Sequence, residues 1–233
     1  MTRLATIALA LIACAAIAAP HHAVVARKNV AVGAEALHEE TFDTASGYDL
    51  SDWEEVGDPD PDHTGTVLEG TQSLELDGND RAAFTNVNAS ALSEGWVYSK
   101  LHFVSASVGF DDLMSVNYGL SARAYFRTRG TLEDANGFQL LNTGGTSVDT
   151  GVQVATNTTY EVLLHYTVGS GSDTEVALWV TTDGDFSGAA NVTTSNGTWT
   201  DGVTRITLQG IDDGGTTIWD DIKIGDTKES VTN

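Results

Sequence analysis

The chain is 233 residues long and carries 33 Asp and Glu against 11 Lys and Arg, a formal net charge of −22. A surface this acidic repels nucleic acid and anionic lipid and excludes both as partners. Abundant glycine (24) and scarce proline (3), with recurrent Thr, Val and Ser, favour strands and tight turns over helices.

Met1-Thr2-Arg3 is a short basic start, and Leu4 to Ala19 is an apolar run of signal-core length, too short for a comfortable membrane span. Small-x-small cleavage points follow Ala18 and Ala26. The expectation is a signal peptide over residues 1–26 and a secreted, extracellular protein. Leu11-Ile12-Ala13-Cys14 also matches a bacterial lipobox, so lipid anchoring at Cys14 is the lesser alternative. Cys14 is the single cysteine, so the mature domain forms no internal disulfide. Residues 27–39 read as a flexible spacer, 40–227 as one domain and 228–233 as a polar tail.

Strand signals then follow at short intervals. Gln72 to Leu76 alternates, with Leu74 and Leu76 on one face. Arg81 to Val87 and Trp96 to Ser105 follow, the latter with Trp96, Tyr98 and Lys100 on one side. Ser121 to Thr128 and Gly137 to Leu141 come next. Thr159 to Val168 is the clearest run. Thr174 to Thr181 sets Val176, Leu178 and Val180 against Glu175, Ala177 and Trp179. Thr204 to Gln209 and Thr216 to Ile224 close the series. The turns between them are rich in glycine: Asp77-Gly78-Asn79-Asp80, Asn142-Thr143-Gly144-Gly145, Gly169 to Gly171 and Asp212 to Gly215. This spacing predicts an all-β, two-sheet antiparallel sandwich.

Three stretches carry a family resemblance. They are Val152 to Val180, the closing Ile218-Trp219-Asp220-Asp221-Ile222-Lys223-Ile224-Gly225, and the opening Glu40-Thr41-Phe42-Asp43 with Gly70 to Leu74. Together they resemble the laminin-G-like, concanavalin A-like jelly rolls of secreted bacterial proteins. The resemblance implies a jelly-roll sandwich and says little about function, because that fold hosts lectins, glucanases, lyases, adhesins and spacers. It also implies a structural Ca²⁺ tying the first strand to the last, with Asp43 and Asp220 at the ligand positions.

The remaining candidates come from the residues themselves. Asp58-Pro59-Asp60-Pro61-Asp62-His63 reads as a rigid acidic loop stiffened by its prolines. Trp96 and Trp179 lie opposite the aliphatic faces of their strands, where exposed rings could stack on sugars. Arg123, Tyr125 and Arg127 alternate onto one face of the basic-aromatic strand in this acidic chain. These arginines are expected to pair with the many acids around them; a lyase acting on an acidic sugar would also want such a strand. The glucanase-like stretch Glu75-Leu76-Asp77 is interrupted by a Gly-Asn turn, and no other catalytic set is complete. The expectation is therefore a non-catalytic binding module for a glycan or a cell-surface partner. A structural role in the envelope or an extracellular assembly is the alternative, and a polysaccharide lyase or glycanase stands third. Self-association is compatible with all three.

Overall fold

The computed structural model describes residues 37–43, 53–85, 92–105, 111–131, 134–211 and 215–233. The expected signal peptide, Cys14 and the side chain of Trp53 lie outside the described residues.

The described chain forms strands numbered β1 to β15 in chain order and one short helix, α1 (Lys228–Thr232). One sheet has the order β13 (Val192–Gly197), β12 (Thr174–Thr181), β11 (Thr158–Thr167), β6 (Glu94–Ser105), β15 (Thr216–Gly225), β4 (Ser73–Asp77) and β3 (Asp60–His63). β1 (His38–Glu40) pairs with the far half of β15, whose near half pairs with β4. The second sheet has the order β10 (Val148–Gln153), β9 (Asp134–Asn142), β8 (Ser121–Thr131), β7 (Asp112–Tyr118), β14 (Arg205–Gln209), β5 (Arg81–Thr85) and β2 (Trp53–Val56). Every pairing is antiparallel. The protein is an all-β jelly-roll sandwich, as its strand spacing predicts.

Period-two alternation fills the space between the sheets. From the eight-stranded sheet come Leu74, Leu76, Val97, Leu101, Phe103, Val162, Leu164, Val176, Leu178 and Trp219. From the seven-stranded sheet come Ala82, Phe84, Met114, Val116, Phe126, Phe138, Leu140, Ile206 and Leu208. Each large aliphatic or aromatic side chain buried there contributes about 1.5–3 kcal/mol. Phe103, Phe138 and Tyr160 form an aromatic seam from one sheet to the other, with centroids 4.8–6.0 Å apart.

Both expected domain ends are displaced. Strand pairing begins inside the segment expected as spacer, where His38 and Glu39 lie opposite Ile224 and Lys223. The expected polar tail is α1. Thr227 caps it by accepting from Ser230 N–H at 3.2 Å, and Val231 is fully buried against Tyr98, Leu163 and Phe186. One apolar side chain among polar ones is too weak a sequence signal to show that anchor. The turn Asp77 to Asp80 is a corner between sheets, since β4 and β5 belong to different ones. Among the described residues no helix is long and apolar enough to cross a membrane.

Candidate functional site

The outer face of the seven-stranded sheet holds a groove. On β8, Ala124, Phe126 and Thr128 turn into the core, so Arg123, Tyr125, Arg127 and Arg129 turn outward. On β14, Ile206 and Leu208 turn inward, and Arg205, Thr207 and Gln209 outward. Pairing then sets these side chains in rows. Thr207 lies opposite Ser115, and Ser115 opposite Tyr125. Arg205 lies opposite Asn117, and Gln209 opposite Arg81. The groove has a volume of about 390 Å³, and its walls include Arg81, Asp112, Ser115, Asn117, Tyr125, Arg205 and Thr207. Glu54 and Val56 of β2, Leu120 of the β7–β8 hairpin, Ala122 and Gln209 also line it.

Every arginine after Arg27 belongs to this face: Arg81, Arg123, Arg127, Arg129 and Arg205. Three are ion-paired. Arg205 reaches Glu54 at 2.7 Å, Arg123 reaches Asp201 at 2.8 Å, and Arg127 gives two hydrogen bonds to Asp112 at 2.9 and 2.5 Å. Arg81 and Arg129 make no ion pair with a described residue. In a chain of such negative charge, this face is where an anion is drawn in.

Tyr125 sits among these charges, with the Arg127 guanidinium 5.2 Å from its ring centroid. Burial holds its phenol above the ordinary tyrosine range. Asp112 pushes it further up, and Arg127 draws it partly back. Asn117 is 5% exposed. Its amide donates to Thr207 Oγ1 at 2.8 Å, while its Oδ1 has no partner. Gln139 Oε1 and Arg123 Nε are also buried without partners. An unpaired buried polar atom costs about 1–3 kcal/mol, and of the three residues only Asn117 lines the groove.

The structure brings Arg123, Tyr125 and Arg127 onto this face and sets Trp96 and Trp179 on the opposite sheet. The two indoles do meet, with centroids 5.7 Å apart. Their faces are occupied. His165 stacks on Trp96 at 4.0 Å, and the Lys228 ammonium lies 5.2 Å from the Trp179 ring. Trp179 Nε1 donates to the Gly188 carbonyl at 3.1 Å. Together with α1 and Phe186 these rings cover Tyr98 and Leu163, and no flat aromatic platform results.

Asp43 and Asp220 reach the same loop. Asp43 Oδ1 accepts from Thr71 N–H (2.5 Å), Thr71 Oγ1 (2.8 Å) and Gln72 N–H (3.1 Å). Asp220 is fully buried and accepts from Glu69 N–H (2.9 Å), Ser73 Oγ (2.7 Å) and Asp221 N–H (2.8 Å). Gly70 between them has φ +67°, and a Cβ there would fall 2.0 Å from Asp43 Oδ2. Lys100 lies opposite Asp220 across the strands but pairs with Glu69 and Asp221, so Asp220 itself makes no ion pair among the described residues. The donors already on both carboxylates act as a clasp on the loop.

A second acidic group lies at β3 and β4, where Asp60, His63 and Glu75 approach one another. His63 Nε2 accepts the Thr66 N–H at 2.9 Å, so the ring proton is on Nδ1, 3.1 Å from Glu75. That nitrogen donates to Glu75. The prolines of this loop and the His63 bonds make it a rigid strand edge.

Sequence reasoning missed Arg81, Arg205, Asn117, Asp112 and Glu54. They come from β5, β14, β7 and β2, and only strand order joins them to β8. The available signal was the confinement of arginine to a few strands of an acidic chain.

No family model and no curated protein matches this chain. Solved structures do resemble it. An endo-β-1,4-glucuronan lyase from the fungus Trichoderma reesei has a TM-score of 0.59 at 11% identity, over 84% of this chain and 98% of that one. A marine PL-14 alginate lyase from Aplysia kurodai has a TM-score of 0.55 at 8% identity, over 83% and 100%. The cellulose-induced protein Cip1 has a TM-score of 0.54 at 13% identity, over 82% and 97%. At such identities the likeness is one of fold. It overturns the expectation of a non-catalytic binding module, with its structural alternative, because named lyases recur among the solved structures that share this sandwich.

Proposed function

We propose that this protein is a secreted polysaccharide lyase that cleaves a uronate-bearing polymer by β-elimination in the arginine-lined groove. The observation that carries the reading is the arginine distribution. In a chain of net charge −22, all five arginines after residue 27 lie on the sheet face that holds the groove, with Arg81 and Arg205 in its lining and Arg127 5.2 Å from the ring centroid of the half-buried Tyr125. The glucuronan and alginate lyases that share the fold act, by their names, on polymers of this charge. The laminin-G-like kinship and export belong to the same proposal, supported by the Ile218–Gly225 stretch and the Leu4–Ala19 run.

The chemistry follows from the groups present. Elimination removes the proton on the carbon bearing the carboxylate, and the neighbouring glycosidic oxygen leaves. A carbon–carbon double bond forms between the two ring carbons, and no water is consumed. The carboxylate must be neutralised to make that proton acidic. Arg205 and Asn117, opposite each other across β14 and β7, are placed to hold it. If the amide turns over, Thr207 Oγ1 can donate to Asn117 Oδ1, and the NH₂ group is then presented to the carboxylate. Among the described residues no histidine lines the groove. Tyr125 therefore takes the proton as phenolate and returns it to the leaving oxygen as phenol, ending as it began.

The test is incubation with polyuronates while the ultraviolet absorbance of the unsaturated product is followed. Product should form with the native chain and fall by about 10²- to 10⁴-fold in Tyr125→Phe. A folded Tyr125→Phe variant that keeps full activity would remove Tyr125 from the mechanism. Absence of product from any polyuronate would end the lyase reading.

A further inference from the structure

Arg205 and Arg123 are held by exposed acids, and how they are held has a consequence for selectivity. Arg205 is only 13% exposed, while its partner Glu54 is 54% exposed on β2, the edge of the sheet. Arg123 is 20% exposed, while its partner Asp201 is 48% exposed in the connection between β13 and β14. In both pairs the cation is the more buried partner and the carboxylate the more exposed one.

Each guanidinium also has a second contact that does not involve its acid. Arg205 Nε lies 3.4 Å from Thr207 Oγ1. The Arg123 guanidinium is 5.8 Å from the Tyr118 ring centroid, and its Nε is buried without a partner. If the acid left, the arginine would stay oriented. Arg127 is held differently. It donates twice to one oxygen of Asp112, the strand residue directly opposite it on β7.

We infer that Glu54 and Asp201 are exchangeable stand-ins for the carboxylates of the substrate. Each keeps an arginine of this face in its binding pose in the free protein, Arg205 in the groove lining and Arg123 beside the lining residue Ala122, and yields it when the polymer arrives. The inference rests on the reading of the groove as a polyuronate site, and it adds a specificity device to it. An exposed ion pair shifts an equilibrium by a factor of only about 1.5 to 5, so either acid is displaced readily by a better-placed carboxylate. A neutral glycan cannot displace them. A lone carboxylate displaces one and leaves the other guarding its arginine. A polymer with closely spaced carboxylates displaces both in one binding event, and the second exchange is intramolecular. The two acids thus make the groove selective for charge density, at a small cost in affinity.

The experiment is calorimetric titration at fixed ionic strength, on the Tyr125→Phe background so that the polymer stays intact. The probes are glucuronan and alginate oligosaccharides, with a neutral cello-oligosaccharide as control. Glu54→Gln and Asp201→Asn should each tighten uronate binding by about 1.5- to 5-fold. Combined, their factors should multiply, since the pairs share no partner. Glu175→Gln makes the same charge change on the outer face of the other sheet, and it should leave affinity unchanged. Both groove acids are surface side chains, and unchanged melting temperatures would confirm folding. The inference is overturned if the groove variants bind no tighter than the background, or if Glu175→Gln tightens binding equally, since net charge alone would then explain the gain. If no form of the protein binds either uronate probe, the polyuronate reading itself fails, and this inference fails with it.

Discussion

Asp220→Ala offers a sharp test of how the closing strand is locked to the rest of its sheet. The Asp220 carboxylate is fully buried and accepts three hydrogen bonds of 2.7–2.9 Å from Ser73, Glu69 and Asp221. Truncation strands three donors. Bonds to a charged acceptor are worth about 1.5–3 kcal/mol each. Desolvation offsets part of this, since burial raises the carboxyl pKa and its hydrogen bonds only partly restore it. The net loss should be about 3–5 kcal/mol. At about 2–4 °C per kcal/mol for a domain of this size, the melting temperature should fall by about 6–20 °C. Thermal melts followed by circular dichroism would measure it. A fall of less than about 2 °C would refute the clasp as a structural element. The same melts decide the calcium proposal. Ca²⁺ at about 100 times its Kd would stabilise the native chain by about 2.7 kcal/mol, a gain that Asp220→Ala should lose. Equal melting of the native chain in Ca²⁺ and in chelator would dismiss the ion and leave the hydrogen-bonded clasp.

Other outcomes follow from the groove and from α1. Tyr125 has a raised pKa, so the phenolate is scarce at neutral pH, and the elimination rate should climb as pH rises toward that pKa. A rate that falls steadily above neutrality would contradict the phenolate as base. Asp112→Asn removes a charge that holds the proton on Tyr125, so the rising limb should move to lower pH, and an unmoved limb would deny the coupling. Arg205→Gln should raise KM for a uronate polymer at least several-fold with little change in melting temperature, as its ion pair is half exposed; steady-state kinetics alongside a melt would check both. Val231→Ala should cost about 1–3 kcal/mol, because the side chain is fully buried against Tyr98, Leu163 and Phe186. Denaturant unfolding would measure that loss, and a neutral result would mean that α1 is not docked.

Much of this architecture is legible in residue order because strands write their facing into every second position. The alternation from Thr174 to Thr181 correctly placed Val176, Leu178 and Val180 inward. It also turned Arg123, Tyr125 and Arg127 to one face of β8. It could not say which strands would flank β8, so Arg205 and Asn117, far away in sequence, stayed hidden. Alternation was equally right to turn Trp96 and Trp179 outward. What it could not register is that α1 and the loop carrying Phe186 fold back over that face, because such cover depends on tertiary contacts and leaves no period in the sequence. The arginine distribution was visible from the start, but its meaning required the strand order.

The place of β15 bears on the order of events when the chain is made. This last strand does not lie at an edge. It inserts between β6 and β4 and also receives β1, the first described strand. Half of that sheet therefore lacks its central partner until the final residues are available, and the contacts that complete it span nearly the whole sequence. Such topology makes for slow, late-committing folding, on a scale of about milliseconds to seconds for β-rich sandwiches. A nascent chain without β15 would keep β4 and β6 apart as open edges. It would thus stay unfolded until β15 became available, so commitment to the fold waits on the strand that joins β4 to β6.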